Sequence, residues 1–153
     1  MNSLPRFAGY PYYPQALEAE RARRRAGSIA DQFHVLLKDG GLGQVRERVA
    51  AQPELLAELL PVVANPDAAI NVRLGASVIF EGYADSAALR ALLPQLGLLC
   101  SHADMRVRAD ACFYLGLTGD ARGREFLQAR LEDDSAEVRE IAADSLAMLP
   151  SLA

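Results

Sequence analysis

A short pattern occurs three times in the chain: a valine, an arginine, two variable residues and an alanine. The copies are Val72-Arg73-x-x-Ala76, Val107-Arg108-x-x-Ala111 and Val138-Arg139-x-x-Ala142, each followed four residues later by Phe80, Leu115 or Leu146. Successive copies are 107 − 72 = 35 and 138 − 107 = 31 residues apart. This period is typical of stacked helical hairpins, because one hairpin cannot bury its apolar face without a neighbour. The pattern therefore predicts an all-α, right-handed α-solenoid without strands.

Apolar spacing, cap residues and helix breakers predict nine helices. Their ranges are 15–26, 29–38, 42–51, 54–64, 69–82, 86–100, 105–117, 121–132 and 136–149. Pro61 and Pro94 fall inside two of these ranges, so those helices are expected to be kinked or to begin later. The chain divides into an irregular arm (1–13), divergent N-terminal helices (14–52) and the repeats (53–153).

Composition narrows the class of protein. The chain has 153 residues, of which 51% are hydrophobic, enough for a sizeable core in one domain. No apolar run reaches the roughly 18 residues that span a bilayer, and prolines and an arginine interrupt the N-terminus where a secretory signal would lie. We expect a cytoplasmic protein in which Cys100 and Cys112 are buried, reduced thiols.

Two runs of sequence resemble HEAT repeats. The first is Pro66-Asp67 followed by Val72-Arg73-Leu74-Gly75-Ala76, and the second extends from Asp104 to Asp120. The second run is most similar to the short HEAT-like repeats first noted in phycobilisome lyases, and the similarity to HEAT repeats covers roughly residues 54–149. The resemblance implies a two-layered solenoid whose usual role is to offer a curved surface to a protein partner.

The arginines of the repeated pattern have two interpretations. They could line an anion-binding groove, or each could pair with a turn aspartate of its own or the adjacent unit. We favour the second, because a partly buried charge is costly unless it is paired. The predicted structural ladder consists of Arg73, Arg108 and Arg139 with Asp67, Asp104 and Asp134.

Candidate partner-binding residues lie on the second helices and on the N-terminal arm. On the helices, polar residues alternate with core leucines and are expected to face outward: Arg90, Gln95, Arg122, Arg124, Gln128 and Arg130. The arm concentrates four aromatic residues, Phe7, Tyr10, Tyr12 and Tyr13. Rigid aromatic side chains contribute strongly to interfaces. The alternative is that these rings cap the bare face of the first repeat.

The predicted function is a non-enzymatic adaptor, scaffold or assembly factor that binds a protein partner through the concave face and the arm. No cofactor, metal site or catalytic residue is predicted, and a net charge of −4 makes nucleic acid an improbable partner. The alternative is a lyase-type enzyme or prosthetic-group handler, for which Tyr83, Tyr114 and Asp110 would have to converge. Self-association is also open, since Ile141, Leu146, Met148, Leu149 and Leu152 could leave an apolar edge on the last helix.

Overall fold

A computed structural model describes residues 27–151, so the predicted arm and the predicted helix 15–26 lie outside the described residues. Within this range there are nine α-helices, two 3-10 helices and no strand. The α-helices are α1 (Ile29–Lys38), α2 (Leu42–Ala51), α3 (Leu60–Val63), α4 (Ile70–Glu81), α5 (Ala87–Arg90), α6 (Leu93–Leu99), α7 (Met105–Leu117), α8 (Arg124–Gln128) and α9 (Ala136–Met148). The 3-10 helices are Pro53–Leu59 and Ala121–Gly123.

Three helical hairpins follow one another along the chain. Each begins with a broken, leucine-rich segment and ends with one of α4, α7 and α9, which we call the Val-Arg helices. The Val-Arg helices stack in one layer, α4 on α7 and α7 on α9, while the leucine-rich segments stack behind them. Val72, Val107 and Val138 are fully buried between the layers. The predicted α-solenoid of helical hairpins is therefore confirmed.

A further hairpin, formed by α1 and α2, precedes the repeats. Its two helices have the predicted bounds. Ser28 caps α1 by accepting a hydrogen bond from the backbone N–H of Asp31, whose carboxylate accepts one from the N–H of Ser28 in return. The helix α1 packs against α4, which joins the N-terminal hairpin to the stack.

The sequence of α2 carries a variant of the repeated pattern that the prediction overlooked. Val45-Arg46-x-x-Val49 precedes Val72-Arg73-x-x-Ala76 by 72 − 45 = 27 residues. Both valines are fully buried, as are the corresponding residues of α4. The segment described as divergent therefore shares the internal packing of the repeats.

The leucine-rich segments are more broken than predicted. Pro61 and Pro94 lie in the first turns of α3 and α6, where the absent N–H has no helical partner to lose. The predicted helix 86–100 is thus divided into α5 and α6. The predicted helix 121–132 is wrong in extent, since it is a 3-10 turn followed by α8, which ends at Gln128. Within residues 27–151, no helix has the length and apolar content that crossing a membrane requires.

Glycines allow the closest approaches between helices. A Cβ placed on Gly116 of α7 would lie 2.9 Å from the Cβ and 3.1 Å from the Cα of Ser145 in α9. A Cβ on Gly75 of α4 would lie 2.9 Å from a methyl group of Leu37 in α1. In the second layer, a Cβ on Gly97 would lie 2.6 Å from the ring of Phe126. An added methyl group would therefore press on the backbone of α9 at Gly116, whereas at Gly75 and Gly97 it would displace the neighbouring side chain.

We expect Gly116→Ala to lower the free energy of unfolding by about 1–3 kcal/mol, because the new methyl group meets the backbone of α9. The matched control is Gly43→Ala on α2, where an added Cβ has no neighbour within 4 Å. That substitution should leave stability unchanged or raise it by up to about 1 kcal/mol. Urea unfolding measures both variants, and an equally stable Gly116→Ala protein would contradict the close packing of α7 on α9.

Candidate functional site

The predicted contact residues of the leucine-rich layer do not form one open surface. Gln95, Arg122 and Gln128 are exposed, and Arg122 is paired with Asp120 at 2.6 Å. Arg124, predicted to face outward, is half-buried and points its guanidinium at the carbonyl oxygens of Leu146 and Leu149.

Two further arginines of this set are occupied within the chain. Arg90 donates to the carbonyl oxygen of Asp85 at 2.5 Å, and Arg130 pairs with Asp133 at 3.1 Å. Arg90, Arg124 and Arg130, expected to face outward, are instead half-buried, and their contact with a partner stays a prediction. The remaining predicted contacts, Phe7, Tyr10, Tyr12 and Tyr13, lie outside the described residues.

Two of the three predicted ladder arginines, Arg73 and Arg108, link neighbouring units, and of the predicted acceptors only Asp134 takes part. Arg73 binds Asp110, on the following Val-Arg helix, through Nε and Nη2 at 3.1–3.2 Å. Asp67 is exposed, and its backbone N–H donates to the Asn65 side chain. The helix of the next unit supplies the carboxylate, because the parallel stacking of α4 on α7 brings Asp110 opposite Arg73.

Asp104 and Arg139 also have other partners than expected. The Asp104 carboxylate caps α7 and binds Arg106, whose hydrogen bond lowers the pKa of that carboxyl despite the opposing effect of desolvation. Arg139 donates to the backbone carbonyl of Asp133 at 2.6 Å, so its acceptor is a peptide group and not a carboxylate. Both contacts stay within one hairpin and do not link units.

Asp133 is the centre of the strongest polar cluster. Arg108 holds its carboxylate through Nε and Nη2, both at 3.0 Å, and also binds the predicted partner Asp134 at 3.0 Å. Arg130 and the backbone N–H of Ser135 donate to the same carboxylate. We call Asp133 with Arg108, Arg130 and Arg139 the Asp133 cluster. It joins the turn of the last hairpin to the hairpin before it.

The two neighbouring aspartates, Asp133 and Asp134, differ strongly in burial. The Asp133 side chain is 2% exposed, whereas that of Asp134 is 93% exposed. Burial alone raises the pKa of Asp133, but the hydrogen bonds from Arg108 and from the backbone of Ser135 outweigh it and lower the pKa to about 2. The predicted partner Asp134 does bind Arg108, but the buried member of the pair is Asp133, and adjacent identical residues give no sequence signal of which one points inward.

A surface of a different kind lies on α4. Ile70, Leu74 and Val78 occupy successive turns of its outer side and are 65%, 59% and 39% exposed. Residues four apart on a helix are neighbours, so these three side chains form one continuous stripe. We call Ile70, Leu74 and Val78 the α4 stripe. The α4 stripe was not predicted, although it has a sequence signal. Its three residues are four positions apart, and they lie on a different face of the helix from Val72 and Ala76.

The α4 stripe leads into a cleft between α2 and α4. The cleft has a volume of about 370 Å³ and is lined by Arg46, Ala50, Val78, Ile79, Gly82 and Tyr83. At the other end of the stripe, Asn71 donates to the carbonyl oxygen of Lys38, which places the end of α1 beside the start of α4. Arg46 and Lys38 are exposed and form no ion pair with any residue in 27–151. The stripe thus has a cationic residue near each end.

The three residues considered for enzymatic chemistry do not meet in one open pocket. Tyr114 is buried, stacks on Phe80 with ring centroids 4.3 Å apart, and has its pKa raised by burial. Asp110 is held by Arg73, and its pKa is raised because desolvation outweighs that ion pair. Tyr83 lines the cleft beside α2, which neither Tyr114 nor Asp110 lines. Among residues 27–151, no three histidine, cysteine, aspartate or glutamate side chains could together hold a metal.

The expected apolar edge on the last helix is smaller than predicted. Leu149 is buried, Ile141 and Leu146 are half-buried against the core, and Met148 is exposed. Leu152 lies outside the described residues. Because Leu149 packs over Gly123 of its own hairpin, α9 covers most of its apolar face without a second copy.

Stacked helical hairpins joined by inter-unit arginine–aspartate pairs define the protein as an α-solenoid. The sequence matches the family described as HEAT repeats over residues 56–147, more than half of the chain. The protein belongs to the HEAT-repeat family. No curated protein and no solved structure is similar enough to count as a match.

We expect Asp133→Ala to lower the free energy of unfolding by about 3–5 kcal/mol, because it leaves Arg108 and Arg130 facing an empty, buried position. Asp134→Ala is the matched control, and removing that exposed partner should cost at most about 1 kcal/mol. Chemical denaturation compares the two variants at neutral pH. Equal losses would show that the Asp133 cluster is not a major source of stability.

The low pKa of Asp133 also predicts a pH dependence. Its stabilising contribution is fully present above the ordinary carboxyl pKa near 4, and is lost as pH falls through the folded value of about 2. The difference in unfolding free energy between wild type and Asp133→Asn should therefore be constant from pH 7 to 5 and shrink from pH 4 to 2. A difference unchanged down to pH 2 would contradict a lowered pKa of Asp133 in the folded state.

Proposed function

We propose that the protein is a non-enzymatic interaction module, an adaptor, scaffold or assembly factor, that holds a protein partner on the α4 stripe. HEAT repeats generally mediate protein–protein interaction. The observation that carries the proposal is the exposure of Ile70, Leu74 and Val78 on consecutive turns of one helix. A continuous exposed apolar surface is unfavourable in water, and on a folded protein it typically marks a contact.

The repeat architecture does not require this stripe. At an offset of 35 the corresponding residues of α7 are Met105, Ala109 and Phe113, and Ala109 is buried. A further 31 residues on, α9 has Ala136, Glu140 and Asp144, all exposed. Only α4 among the three Val-Arg helices therefore presents large aliphatic residues to solvent in these positions.

The charge and shape of the surface around the α4 stripe favour one kind of partner. An amphipathic helix could place apolar residues at three- and four-residue spacing along the stripe and into the cleft beside Val78 and Tyr83. Carboxylates at the ends of that helix would meet Arg46 and Lys38. Exposed Asp67 and Glu81 lie three positions beyond the two ends of the stripe, so only carboxylates placed directly against Arg46 and Lys38 would be favourable. We therefore propose an amphipathic partner helix with carboxylates at those two positions.

The N-terminal arm is the second proposed contact. Phe7, Tyr10, Tyr12 and Tyr13 would add aromatic area to an interface formed chiefly by aliphatic residues. Deleting residues 1–13 separates its contribution from that of the stripe. If the arm binds the partner, the deletion weakens binding that the stripe alone still supports.

We expect Leu74→Glu to abolish partner binding without lowering stability, because the side chain is 59% exposed and makes no core contact that folding needs. A carboxylate in the middle of the stripe must be desolvated when an apolar helix covers it. Affinity capture from a lysate of the source organism compares wild type with the variant. Captured proteins are identified by mass spectrometry, and unfolding curves verify the fold.

The matched control is Leu98→Glu, because Leu98 is 77% exposed but lies in the leucine-rich layer. The proposal predicts a protein that wild type and Leu98→Glu retain and Leu74→Glu loses. Solution mass is measured in parallel, since a second copy could also cover the stripe. A captured protein unaffected by Leu74→Glu, or no captured protein together with a monomeric mass, would contradict the proposed surface.

A further inference from the structure

Two thiols face one another inside the middle hairpin. Cys100 follows α6 and Cys112 lies within α7, so the pair spans the turn between the two helices. Both residues are fully buried, and their sulfur atoms are 3.8 Å apart. In a disulfide this distance is about 2.05 Å, so side-chain movement of less than 2 Å would bring the sulfurs within bonding distance.

The electrostatic surroundings make the two sulfurs unequal. The hydrogen bond from Cys100 lowers the pKa of Cys112 more than burial raises it; the charges of Arg130 and Arg108 also lower it, while the charge of Asp133 opposes them. The same hydrogen bond, together with burial, raises the pKa of Cys100. Cys112 is therefore the better nucleophile, and Cys100 retains its proton.

A cleft opens at the surface beside the segment that follows Cys100. It has a volume of about 360 Å³, and its lining begins with Ser101 and His102, directly after Cys100, and continues to Arg108 and Arg130. The arginines that favour a thiolate at Cys112 thus also line the cleft. Neither cysteine lines the cleft, so any oxidant must open a path to the buried sulfurs, and one close to water in size needs a smaller opening than a bulky disulfide.

We propose that Cys100 and Cys112 are a reversible disulfide-forming site that reacts with hydrogen peroxide. The Cys112 thiolate attacks one peroxide oxygen, the O–O bond breaks, and the hydroxide that leaves takes up a proton to become water. Cys100 loses its proton and attacks the resulting sulfenic acid, which forms the S–S bond and releases a second water. Two thiols are oxidised by two electrons while one peroxide is reduced to two waters.

The bond would fasten α6 to α7 beneath the Asp133 cluster. The chain between the two cysteines carries the carbonyl groups of His102 and Ala103, which accept hydrogen bonds from Arg108. Closing this loop restricts the unfolded chain more than the folded one. The oxidised protein should therefore unfold at a temperature several degrees higher than the reduced protein.

The experiment treats the folded, full-length protein with hydrogen peroxide, and then alkylates all remaining thiols in denaturant with N-ethylmaleimide. The expected product is a monomer that has lost the mass of two hydrogen atoms and carries no alkyl group. Peptide mapping should show residues 100 and 112 joined, and dithiothreitol should restore two alkylatable thiols and the original melting temperature. Cys100→Ser, treated identically, should yield no intrachain disulfide.

Three outcomes would overturn the proposal. The first is a folded protein whose two thiols are both still alkylated after peroxide treatment, although they are oxidised in urea. The second is a disulfide between chains in place of one within the chain. The third is irreversible oxidation of Cys112 to sulfinic acid without any S–S intermediate.

Discussion

The stacking of successive Val-Arg helices, which is closest where α9 meets α7, is the constraint on which the rest of the structure depends. Ala76, Ala111 and Ala142 are fully buried in the layer, and Gly116 meets α9 at a separation that excludes a methyl group. Helices at such short range bring the flanks of adjacent units within reach of each other's long side chains. Arg73 consequently reaches Asp110 on the next helix, and Arg108 reaches Asp133 in the next hairpin. Tight apolar packing thus determines which charges pair across the stack.

These ion pairs hold neighbouring units together, and they all run in the same direction along the solenoid. In each inter-unit pair the arginine comes from the earlier unit and the carboxylate from the later one. The last of these carboxylates, Asp133, also accepts a hydrogen bond from Arg130, while its carbonyl group accepts from Arg139. A buried carboxylate with several donors is well compensated for the loss of water. The junction between the last two hairpins therefore depends most on a single residue, Asp133.

The sequence predicted the Val-Arg layer far better than the leucine-rich layer. The bounds of α7 and the burial of Val107 follow from apolar period and from the aspartate cap, which are local signals. The breaks within the leucine-rich segments, and the choice of Asp133 over Asp134, are set by how neighbouring units fit together. Asp110 was considered as an enzymatic residue because its ion-pair partner, Arg73, is 37 residues away in the sequence and gives no local signal. The two residues meet only because α4 stacks on α7.

The composition of α4 supports a partner independently of any single exposed residue. One side of this helix faces the core through Val72 and Phe80, and a second contacts α1 at Gly75. A third side carries Arg73 to the next unit. The remaining side is the α4 stripe, so aliphatic residues occur around most of the helix. A helix that is apolar on nearly every side is normally buried on nearly every side. Within residues 27–151 the α4 stripe stays exposed. The proposed amphipathic partner helix would bury Ile70, Leu74 and Val78.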